Sequence, residues 1–203
     1  MQALLSKSAL SLFGVNLAVI ALAIWGDWSL PTVLASYWLQ SVIIGLFQAR
    51  KMWELKVFST EGLKMNGQPV DPTPATKRSV VLFFLFHYGI FHAAYAGFIL
   101  AGEGGAPYWP EVLICGAFFF ANHLYSYWAH RGRAPKRVPN IGGMMFFPYI
   151  RIVPMHIFIL LGAFAAGGST AALVVFMVLK TIADETMHAI EHRGEAADDR
   201  PAV

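Results

Sequence analysis

Fourteen of the fifteen Lys and Arg residues lie on one side of an alternating series of hydrophobic runs. The runs cover about 4–25, 31–50, 78–101, 108–129, 152–167 and 169–190. The connections near Asp27, around Glu103 and Glu111, and at Gly167-Gly168-Ser169 hold no Lys or Arg. The basic residues sit in the N-terminus, the other two connections, the C-terminal end, or the run ends facing them. Lys180, inside run six, is the exception. Cytoplasmic loops of membrane proteins are rich in Lys and Arg. The pattern therefore predicts an all-α polytopic membrane helix bundle of about six transmembrane helices, with both termini in the cytoplasm.

Composition points the same way. Hydrophobic residues make up 57% of the chain and charged residues 13%, against about 25% charged in an average soluble domain. A bilayer core about 30 Å thick needs roughly 20 apolar residues per helix. Run five is shorter than that; with run six it forms either a tight helical hairpin or a partly re-entrant pair. The net charge of +3 follows from the one-sided basic loops, and nucleic acid is not an expected partner. The expected partners are the lipid bilayer and either other membrane subunits or further copies of the chain. Cys115 stands alone, so no disulfide framework exists. Lys7 followed by an apolar stretch and Ala21-Leu22-Ala23 resembles a signal peptide. However, the run continues through Ile24 and Trp25, and a retained first helix is expected. The domain reading is a single transmembrane unit over 1–193 and a short cytoplasmic tail over 194–203.

Within the longest connection, 51–77, the basic and bulky residues Lys51 through Phe58 read as an interfacial extension of span two, with Trp53 at headgroup depth. Gly67, Pro69, Pro72 and Pro74 then break helix. The other basic connection runs from His130 through Gly142, Gly143 and Pro148 to Arg151. Trp25, Trp28, Tyr108 and Trp109 fit an aromatic belt at the outer boundary. Phe118, Phe119 and Phe120 read as lipid-facing or packing residues. Gln40 and Asn16 read as interhelical hydrogen-bond partners.

Ionisable groups in a bilayer are costly and mark candidate sites. Here they are mostly histidines, five of seven converging on the cytoplasmic half or surface. The densest cluster ends span six. On a helix of about 100° per residue, Lys180, Glu191, Asp184, His188 and His192 fall at about 0, 20, 40, 80 and 120°, one face. Asp184/His188 and His188/His192 are i,i+4 pairs and His188/Glu191 is i,i+3, spacings at which two side chains reach one ion. Carboxylate with imidazole suits zinc, iron or manganese. Further ligands would come from His156 and His123, read at matching depth. The alternative is a solvated helix end with Lys180–Asp184 as a salt bridge. His87 and His123, at similar depth on adjacent spans, would instead allow bis-histidine ligation of haem b.

Three segments carry a resemblance: Tyr37 through Gly45 followed by Lys51, Phe83 through Phe91, and Lys180 through His192. They are similar to an uncharacterised family of bacterial multipass membrane proteins, a domain of unknown function, over most of the chain. The resemblance implies an all-helical membrane fold in the bacterial inner membrane and supplies no reaction. That family often has Glu where this chain has Gln40, which removes a carboxylate from mid-membrane. The expected function is a membrane metalloprotein with its His/Asp site on the cytoplasmic half. The main rival is a non-enzymatic structural or accessory subunit of a larger membrane complex, with a small transporter behind it.

Overall fold

The computed structural model describes residues 21, 23–101, 105–130, 137–157 and 181. They form helix α1 (Leu30–Glu54), a small hairpin β1 (Lys64–Met65) and β2 (Gln68–Pro69), and helices α2 (Pro74–Ala101), α3 (Trp109–His130) and α4 (Ile141–Ile157). The described chain is thus mostly helical. Two of its helices, α1 and α2, are long and apolar enough to cross a membrane. The first and sixth predicted runs, and run five beyond residue 157, lie largely outside the described residues.

Helix α1 is the axis of the bundle and packs against α2, α3 and α4, while α2 also touches α4. Directions follow from paired contacts. Ser41 meets Tyr88, Trp38 meets His92 and Lys77 reaches Leu55, so α2 runs antiparallel to α1. Tyr108 meets Thr32 at one end and Tyr127 meets Glu54 at the other, so α3 runs parallel to α1. Successive helices α1, α2 and α3 thus alternate in direction. Close approach is made possible by two glycines. A Cβ at Gly45 would collide with the Tyr88 ring, and one at Gly116 with the Leu39 side chain. Small residues let helix backbones approach in this way. Met52, Phe84 and Ile141 are fully buried in the core.

Sequence signals mark the helix starts. Pro31 occupies the first turn of α1, where its missing N–H costs nothing. Thr73 precedes Pro74 and caps α2, its Oγ1 accepting from the Thr76 amide at 3.1 Å. Asn140 caps α4, its Oδ1 accepting from the Gly143 amide at 3.0 Å.

Three local expectations change. Helix α1 stops at Glu54, so Trp53 lies at its end and 55–58 is not helical. The loop after it contains the hairpin, closed by Asn66 (φ 52°) and Gly67 (φ 79°). Positive φ at both central residues is the type I′ geometry that Asn-Gly favours, a signal missed behind the prolines. The third change is larger: 141–151, expected as loop on the strength of Gly142, Gly143 and Pro148, is helix. Pro148 has no N–H for the Met144 carbonyl four residues back. Gln48 of α1 supplies the replacement, its Nε2 donating to the Met144 oxygen at 2.8 Å. The proline's local defect is thus repaired across the helix interface.

Large apolar side chains also cover outward faces, among them Phe86 on α2 and Leu113, Phe118 (74% exposed) and Tyr125 on α3. The middle of the phenylalanine triplet, Phe119, turns inward.

Two substitutions test this packing. Gln48→Leu leaves a buried carbonyl without a donor, and a loss of about 1–3 kcal/mol is expected in thermal unfolding of the detergent-solubilised protein; an unchanged midpoint would refute the repair. Gly45→Leu is expected to destabilise more than Gly89→Leu, because a Cβ at Gly89 meets nothing within 4 Å.

Candidate functional site

Every described Lys and Arg side chain belongs to one end of the bundle. Arg50 and Lys51 end α1, Lys56 and Lys64 lie in the following connection, Lys77 and Arg78 open α2, and Arg137 precedes α4. At this end a polar node joins α1 to α3. Glu54, with its side chain 30% exposed, accepts from Arg50 at 2.6 Å, an i,i+4 pair. The Tyr127 hydroxyl lies 2.8 and 2.7 Å from the two Glu54 carboxylate oxygens. A carboxylate held by both a guanidinium and a phenol is oriented more firmly than in an exposed ion pair, where side-chain freedom consumes much of the gain.

One turn before Tyr127, on the same face of α3, is His123. The Phe47 ring of α1 contacts both, with centroids 5.8 Å from His123 and 6.0 Å from Tyr127. His123 Nδ1–H donates to the Phe119 carbonyl at 3.0 Å. In the neutral ring that bond selects the tautomer whose Nε2 carries the lone pair.

A second polar group lies deeper, between α1, α2 and α4. Tyr88 donates to the Ser41 carbonyl at 2.8 Å and takes the Ser41 hydroxyl at 2.9 Å. Its ring stacks on His92 with centroids 4.1 Å apart. His92 Nδ1–H donates to the Tyr88 carbonyl at 2.8 Å, and Trp38 Nε1–H donates to the His92 carbonyl, also at 2.8 Å. His87 shares a 2.8 Å bond with the Tyr149 hydroxyl of α4 and stacks on Phe83. Among the described residues, the buried His92 Nε2 and Gln40 Nε2 have no hydrogen-bond partner. Gln40 is only 3% exposed, and its amide nitrogen makes no interhelical bond to the described residues.

The predicted ligands divide as follows. His87 meets α4 and His123 packs on α1, so the described contacts do not bring these two imidazoles together for haem. Asp184, His188, Glu191 and His192 lie outside the described residues. The early start of α4 moves His156. Gln48 and Met144 are level, which puts the His156 backbone twelve residues further on, toward the end away from the basic side chains. His123 is level with Phe47, so the two histidines sit roughly 17 Å apart along the axis at 1.5 Å per residue. The depth match read from sequence was wrong because the helix begins eleven residues earlier than run five, at 141 rather than 152. For the same reason the Arg151 backbone lies inside α4. Among the described residues, no three His, Cys, Asp or Glu form a group able to hold a metal ion. Sequence reasoning missed Glu54, Tyr127 and Tyr149; the i,i+4 spacing of Arg50 and Glu54 was the available signal for the first.

The chain belongs to the family of unknown function DUF6498, whose model matches residues 2–200. No curated protein and no solved structure matches it.

The deeper group makes a prediction that separates a packing histidine from a binding one. Removing His92 Nε2 relieves the cost of a buried nitrogen without a described partner, which offsets the loss of the Nδ1 bond to the Tyr88 carbonyl within the same helix. His92→Phe is therefore expected to keep or raise the unfolding temperature, whereas Tyr88→Phe, which strips Ser41 of its partner, is expected to lower it. A large loss in His92→Phe alone would mean that Nε2 has a partner in the working protein.

Proposed function

We propose that this DUF6498 member is a bacterial inner-membrane protein of about six transmembrane helices, with the basic end in the cytoplasm and the working region on that half of the bundle. The gathering of the described Lys and Arg side chains at one end, beside the Glu54–Tyr127–His123 face, is the observation that carries this reading. The outward apolar faces of α2 and α3 support the bilayer setting, since lipid is the solvent in which such faces cost nothing.

In this reading the working group is a metal ion. Asp184, His188, Glu191 and His192 share one helical face by spacing, and His123 lies on the basic half of α3, one turn before Tyr127. A metal-binding imidazole generally donates its other N–H to a carbonyl or carboxylate, which orients the ring; His123 Nδ1–H makes such a bond. A zinc, iron or manganese ion held there would act as a Lewis acid or activate water. Glu54, fixed by Arg50 and Tyr127, would supply a neighbouring acceptor. His156 leaves the proposed set because its helix carries it toward the opposite end.

A second reading is an accessory subunit of a membrane complex. It is favoured by the pairing of Ser41, Gln48, His87 and Tyr149 within interhelical hydrogen bonds, which is packing work rather than chemistry.

Elemental analysis of tag-free protein in detergent tests the first reading. Near-stoichiometric metal is expected, lost in His188→Ala and reduced in His123→Ala. Metal-free protein, or full metal in His188→Ala, would refute it. Topology is tested in a Cys115→Ala background. Asp27→Cys is expected to react with an impermeant maleimide on intact cells, and Gln68→Cys only after permeabilisation; the reverse labelling would overturn the orientation.

A further inference from the structure

We infer that the basic end carries a folded, anionic-lipid-binding cap, an inference that rests on the membrane reading above. The two basic connections, distant in sequence, are joined. Ser59 and Asn140 form a parallel bridge, with Ser59 N–H donating to the Pro139 carbonyl at 2.8 Å and Ile141 N–H to the Ser59 carbonyl at 3.0 Å. Asn140 Nδ2 adds a 2.8 Å bond to the Glu61 carbonyl. Thr60 Oγ1 donates to the Val70 carbonyl at 2.6 Å, closing the base of the hairpin. Lys77 Nζ ties the start of α2 to the Leu55 carbonyl at 2.8 Å. The described segments 55–73 and 137–140 therefore present their side chains from a bonded backbone.

What they present is basic and apolar together. Lys51, Lys56, Lys64, Arg78 and Arg137 are exposed around the cap, against exposed Glu61 and Asp71. The remaining carboxylate, Glu54, is offset by Arg50. Among the described residues, cations thus outnumber carboxylates at this end. Trp53, Val57 and Val138 are exposed among them. A cationic surface studded with Trp and aliphatic side chains at a helix-bundle end matches the chemistry of an anionic leaflet. The ammonium and guanidinium groups meet headgroup phosphates and the apolar groups enter the acyl boundary. Each basic side chain near such a surface is worth about fivefold in apparent affinity. A free phosphate would satisfy the cations but not the apolar side chains.

Native mass spectrometry of the detergent-solubilised full chain tests this, with equimolar phosphatidylglycerol and phosphatidylcholine of the same acyl length. We expect phosphatidylglycerol retained about tenfold over phosphatidylcholine, with the preference reduced in Lys51→Gln/Lys56→Gln/Lys64→Gln. Equal retention in the wild-type chain would overturn the inference. A second measurement leaves all charges in place. Met65→Cys in a Cys115→Ala background, carrying an environment-sensitive dye, is expected to shift blue in phosphatidylglycerol nanodiscs, not in phosphatidylcholine ones, and to revert in high salt. No shift, or a shift seen only on adding a protein partner, would overturn the cap as a lipid site. Carbonate extraction separates the two levels: a chain released from the membrane pellet refutes the membrane reading itself, while a retained chain without lipid preference refutes only the cap.

Discussion

Helix α1 is bonded to each of its neighbours by a polar side chain placed where the hydrocarbon-like interior offers no competing water. Ser41 engages Tyr88, Trp38 the His92 carbonyl, Gln48 the Met144 carbonyl, and Thr32 the Tyr108 amide. Apolar packing alone would let the helices slide, and these directional bonds hold their register. Gly45 and Gly116 bring the neighbouring helices close enough for these bonds to form. The Gln48 contact shows the dependence most plainly: α4 can contain Pro148 and stay helical because a residue almost a hundred positions earlier supplies the missing donor.

The site follows from this arrangement. Parallel packing of α1 and α3 puts the C-terminal turns of both at the basic end, which is why Glu54 and Tyr127 meet. Antiparallel packing of α4 does the reverse to His156, carrying it away from the same end. The two histidines that appeared equivalent in depth, His87 and His123, are divided by the central helix into different contacts, one with Tyr149 and the other with Phe47 and the Phe119 carbonyl. Helix order and rotation decide such pairings, and neither is encoded in the hydropathy pattern.

The basic end is more ordered than its composition suggests. Connections rich in Pro, Gly and Lys ordinarily read as topogenic loops. Here an Asn-Gly turn, a two-residue hairpin and one parallel bridge hold them against the ends of α1 and α4. The ordering concentrates charge over a small surface, and concentrated charge near a low-dielectric boundary attracts anions more strongly than the same residues spread along a flexible chain.

Several features were legible in the sequence because they depend on local chemistry: the helical content, the membrane-length apolar helices α1 and α2, the helical state of α3, the end at which the described Lys and Arg gather, and the exposure of Phe118 and Phe120. Length and apolarity make a helix able to span a bilayer, and the placement of Lys and Arg along the chain marks one end of the bundle. The hairpin was also written locally, in Asn66-Gly67, and was overlooked among stronger breakers. The start of α4 was different in kind. Gly142, Gly143 and Pro148 oppose helix by themselves, and only the Asn140 cap and the Gln48 amide from another helix reverse that preference. The Glu54–Tyr127 node, the His87–Tyr149 bond and the separation of His156 from His123 likewise belonged to the tertiary structure. They depend on which faces meet after the helices pack, and a one-dimensional pattern fixes neither neighbour nor rotation.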